Sequence, residues 1–224
     1  MKFLALKRRL GGVGEIFLFS YLIIVISIAI VATLTGYPIV TALASSPALL
    51  MHGEWWRLIT SAFVIDGPAL PQLVAIAVLG SFAIYFGGSW TFWSTAITGH
   101  IVGTLLSYAG VAGLWLVDRA SAVRFITDPD YGVSLIWCAA LGAFCAAVWF
   151  GDRGSWSRPV KPWLVAMAVS IMVVVTLYSD KLEAVQHATA FVIGFAIVGA
   201  TDKARILHKH HRRRGSQARL QRSS

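Results

Sequence analysis

The stretch DYGVSLIWCAALGAFCAAVWF, Asp130 to Phe150, decides the fold. From Tyr131 onward it is apolar save for its opening residues and two cysteines. It is long enough to cross a bilayer, which takes about 20 apolar residues. Ser134 sits one turn inside its start. A second apolar run, Val185 to Ala200, carries His187 in its first turn. If both runs cross in the same direction, Ser134 and His187 reach one depth in one leaflet. That is a fit arrangement for a serine nucleophile and its base just below the membrane surface.

The rest of the composition agrees with a membrane chain. Hydrophobic residues make up 57% of the 224 and charged residues 13%, against roughly 25% charged in soluble domains. The expectation is an all-α membrane protein of six spans and one domain. The net charge of +9 does not point to nucleic acid. The basic residues gather at the two ends and in one loop, as membrane topology demands, where they also attract anionic lipid head groups. Cys138 and Cys145, seven apart on one helix face, read as small core residues rather than a disulfide or a metal site.

The expected spans are Glu15–Gly36, Ala69–Phe86, Phe92–Ala112, Tyr131–Phe150, Trp163–Tyr178 and Ala184–Ala200. They define a membrane domain of residues 15–200 between a basic N-terminus (1–14) and a basic tail (201–224), expected to be disordered beyond its first turns. The charged start resembles that of a signal peptide, but the run from Ile16 to Thr35 is too long for one and reads as a retained anchor. Tyr37–Pro68 reads as a partly embedded insertion, with Trp55 and Trp56 as interfacial anchors beside a Glu54–Arg57 pair. Gly87-Gly88-Ser89 reads as a tight turn, and Leu114–Pro129 as a polar loop. With both termini in the cytoplasm, fifteen of the nineteen Lys and Arg fall inside and four outside, which is the bias that orients membrane proteins.

In that topology spans two, four and six descend from the outer face. Gln72, Ser134 and His187 then lie roughly 5–8 Å below their outer ends. Ionisable residues inside spans are costly and mark function by default; apart from Cys and Tyr, the only ionisable residues well within these spans are His100 and His187. A serine hydroxyl needs a base to become a nucleophile, and a neutral imidazole serves near pH 7. Gly132 allows close backbone approach. The helix start that follows offers N–H groups and a dipole to an oxyanion. Asp130 reads as the cap of span four or as a residue that orients a histidine. Gln72 reads as an oxyanion donor or a cap, and His100 as a donor or a carbonyl-bonded packing residue. His208, His210 and His211 read as part of a solvated tail. No cofactor or metal is implied.

These residues carry a resemblance. From Glu54 to Gly199 the chain resembles the rhomboid family of intramembrane serine proteases, and within it a divergent actinobacterial rhomboid-like branch. The resemblance rests on Trp56-Arg57, Gly87-Gly88, Gly99-His100, Asp130-Tyr131-Gly132-Val133-Ser134, and His187 followed by Ala190 and Gly194. It implies a six-helix rhomboid-like bundle in a bacterial cytoplasmic membrane and a Ser134–His187 dyad. It also implies single-span membrane proteins as substrates, or as clients of a catalytically inactive relative. The departures are Leu135, where the family usually has glycine, and the lack of the family's His and Asn at the start of span two. The chain has no asparagine, and Gln72 falls near that place. A transporter or channel is a weaker reading, because no charged relay or internal repeat is present.

Overall fold

The computed structural model describes residues 12–36, 38–65, 67–150, 160–179 and 181–222, with side chains described as far as residue 201. Among these, the chain is helical throughout, with no β-strand. Six helices are long and apolar enough to cross a membrane. They are α1 (Val13–Thr35), α5 (Ala69–Gly87), α6 (Ser89–Val117), α8 (Val133–Phe150), α9 (Val160–Tyr178) and α10 (Lys181–Arg222). This is a multi-pass membrane protein.

The insertion between the first two spans breaks into short helices: α2 (Ile39–Leu43), α3 (Pro47–Met51), α4 (Arg57–Thr60) and a 3₁₀ turn (Ser61–Phe63). Ser46 caps α3 by accepting from the Leu49 N–H, and Pro47 opens that helix, where its missing N–H costs nothing. Arg57 holds the segment together. Its Nε donates to Glu54, and its Nη1 donates to the carbonyls of Thr41, Ala42 and Ala44. The guanidinium also stands over the Trp56 ring. Trp55 and Trp56 are exposed. Gly88, at φ 93°, makes the tight turn between α5 and α6 in a conformation that favours glycine.

Three expectations change. The polar loop Leu114–Pro129 is mostly ordered helix: α6 runs on to Val117, and α7 (Arg119–Thr127) follows. Asp118 caps α7 through the Ser121 N–H and hydroxyl, bonds that hold its carboxyl below the usual carboxylate range. The tail after Ala200 continues as part of α10 to Arg222. It is helical where polarity alone suggested disorder, because Lys, Arg, Gln and Ala are good helix formers that can extend a helix already nucleated within the bilayer. The side chains of His208, His210 and His211 lie outside the described residues. Asp130 lies two residues before the position that caps α8, and its carboxyl is buried.

The core is built around α8. Every residue of that helix is buried except Ser134 and the last two. Its many alanines and Gly142 let neighbours approach closely, which is how helices associate where lipid removes most of the hydrophobic drive. Helices α5, α6, α9 and α10 all pack on it. A methyl group at Gly142 would collide with the Phe191 carbonyl, and one at Gly194 with the Ala139 carbonyl. The α8–α10 contact is thus locked by two reciprocal glycines. Ala190 lies beside Gly99 and Gly103 of α6. Cys138 and Cys145 are free thiols in this core. By contrast α1 and α9 present rows of exposed Ile, Val and Phe or Met side chains, the surface that lipid would cover.

Candidate functional site

Ser134 is the second residue of α8 and its single side chain left partly open near the start. Its hydroxyl leans on the Tyr131 carbonyl at 3.5 Å, a contact at the long limit of a hydrogen bond. His187 is buried two turns into α10, and its ring packs on Trp137 with centroids 6.1 Å apart. Trp137 follows Ser134 by three residues, so both project from one face of α8. The two expected partners therefore occupy neighbouring helices at one end of the bundle. No hydrogen bond joins them; His187 Nδ1 lies 3.1 Å from the Ser179 hydroxyl.

His100 lies against the approach to α8. Its ring abuts the Gly132 Cα so closely that a Cβ there would overlap it. Its Nε2 is 2.7 Å from the Leu58 carbonyl and 3.5 Å from Ser61 Oγ. A carbonyl only accepts, so Nε2 carries the ring's hydrogen. The neutral ring then has no second N–H for an oxyanion, and its Nδ1 is buried without a hydrogen-bond partner. His100 is thus bonded to the Leu58 carbonyl and packed against Gly132. Gly132 gives its N–H to the Ser61 carbonyl at 2.8 Å, so Gly132 secures the start of α8 to the 3₁₀ turn. Gln72 stands half-buried in the first turn of α5.

Asp130 anchors a polar cluster that the sequence alone does not reveal. Its Oδ2 accepts from the Tyr108 hydroxyl at 2.9 Å and from Gln186 Nε2 at 2.8 Å. Tyr108 spends its hydrogen on Asp130, so the Ser45 hydroxyl donates to Tyr108 at 2.7 Å. The backbones of Ser45 and Asp130 exchange two further bonds. The insertion, α6, the approach to α8 and α10 are thus joined at one level. Gln186, next to His187 in the sequence, is buried and turns its amide to Asp130. A lone glutamine in an apolar run was its only signal.

An apolar cavity of about 710 Å³ is lined by Tyr108, Leu50, Trp55, Leu105, Val111 and Leu116 among others; neither Ser134 nor His187 lines it. Among the described residues no three His, Cys, Asp or Glu side chains are grouped as a metal ion requires. No family model matches the chain, and no curated protein or solved structure is similar enough to count as a match.

Proposed function

We propose that the chain is a rhomboid-like intramembrane serine protease of a bacterial cytoplasmic membrane, with both termini in the cytoplasm. Its substrates are single-span membrane proteins, cut near the outer face. One observation carries the reading. The Ser134 and His187 helices are locked together by Gly142 and Gly194, with the His187 ring resting on Trp137, one turn below the serine.

Ser134 Oγ attacks the scissile carbonyl and passes its proton to the His187 imidazole. The oxyanion is met by backbone N–H groups at the start of α8, where the helix dipole also favours negative charge. His187 returns the proton to the leaving amine, and the C–N bond breaks to leave an ester on Ser134. Water then attacks the ester, losing its proton to His187. That proton returns to Ser134 Oγ as the acid product leaves. The long resting bond to Tyr131 costs little to give up, and catalytic hydrogen bonds commonly tighten only once substrate is bound.

The test is labelling of the full chain in membranes by a fluorophosphonate probe. Wild type is expected to label, Ser134→Ala not at all, and His187→Ala about 10³-fold more slowly or worse. Labelling that persists in Ser134→Ala would sink the assignment.

A second reading is a catalytically inactive relative that binds transmembrane segments of client proteins. The observation favouring it is Leu135, fully buried and packed on Gly103 where the family usually has glycine. It expects Ser134→Ala to rescue a deletion strain fully.

A further inference from the structure

Ser179 occupies the bend between α9 and α10. Its hydroxyl donates to the Val175 carbonyl at 2.9 Å. A serine hydroxyl has one hydrogen, so at His187 Nδ1, 3.1 Å away, its oxygen accepts. Nδ1 is then the nitrogen that carries the hydrogen. In the neutral ring this leaves Nε2 as the lone-pair nitrogen. The tautomer follows from the hydrogen-bond partners, as such assignments must, and the Trp137 ring limits reorientation of the imidazole.

We propose that Ser179 is a positioning residue: it holds His187 as the Nδ1–H tautomer, so that Nε2 is the nitrogen able to take the Ser134 proton. The proposal rests on the protease reading. Ser179 gains and loses no proton. When His187 becomes an imidazolium, Nδ1–H still donates to Ser179 Oγ, and a bond from a charged donor is roughly twice as strong as a neutral one. A hydroxyl stabilises that cation less than a carboxylate would, so the effect on rate is modest.

The test uses the full chain, ¹⁵N-labelled at histidine, in phospholipid nanodiscs. Imidazole NMR is expected to find His187 protonated at Nδ1 in wild type and in Ser179→Thr, with the population moving toward Nε2–H in Ser179→Ala. Fluorophosphonate labelling is expected to slow about tenfold in Ser179→Ala and to recover in Ser179→Thr, with Tm unchanged. A wild-type His187 protonated at Nε2 overturns the proposal. So does wild-type labelling in Ser179→Ala, or an equal loss in both variants accompanied by a lower Tm. A wild-type chain that resists the probe while showing the Nδ1–H tautomer overturns the protease reading and leaves the tautomer assignment supported.

Discussion

Asp130 shows how one side chain can matter for reasons other than the expected one. Its carboxyl is the acceptor for Tyr108 and Gln186, whose helices are far apart in the sequence. Removing it leaves two buried donors without that acceptor, and such groups are expensive away from water. Asp130→Ala should therefore destabilise the fold by about 2 kcal/mol, read by unfolding in mixed micelles. Asp130→Asn keeps an acceptor oxygen and should cost less than half as much. Equal losses in both variants would mean that charge, not acceptance, is what the cluster requires. The cluster was hidden in the sequence because a serine, a tyrosine and a glutamine in apolar runs are individually ordinary. Only the packing of four segments brings them to one carboxyl. His187 stood out in the sequence for the opposite reason: a histidine inside a span carries a cost that composition alone exposes.

At the scale of elements, the close packing of α8 and α10 is the feature most open to test. Gly194→Leu would press a branched side chain into the Ala139 carbonyl. Overpacking of this kind costs about 1–3 kcal/mol when neighbours can shift, and here the obstacle is backbone. The expected result is a lower Tm and loss of probe labelling together, checked beside Gly110→Ala, a site with open space, which should retain both. Arg57 makes a second case. Arg57→Lys keeps the charge but loses the planar fork that reaches Glu54 and three carbonyls. It should loosen the insertion, seen as faster proteolysis between Thr41 and Thr60, with the six spans intact. The spans were readable from apolar length to within a few residues. The ordering of residues 114–129 was not, since the Asp118 cap and the burial of Ala122 and Phe125 decide it, and tertiary contact overrides local polarity.

For the whole molecule, the charge bias expects both ends on the cytoplasmic side. A fluorescent protein fused after Ser224 should glow, and alkaline phosphatase fused there should be inactive; the reverse result would invert the bundle and place the Ser134 end at the inner face. The overall form follows from α8 acting as a central post of small residues, wrapped on all sides, with α1 and α9 outermost. One consequence concerns vertical alignment. Gly142 lies eight residues beyond Ser134, and Gly194 seven beyond His187, so the interlocked glycines are roughly 11 Å deeper than the groups they serve. A slip of one residue at that notch would displace alcohol and imidazole from each other by about 1.5 Å. The relative height of the two side chains is therefore set at a distance, by residues that have no chemistry of their own.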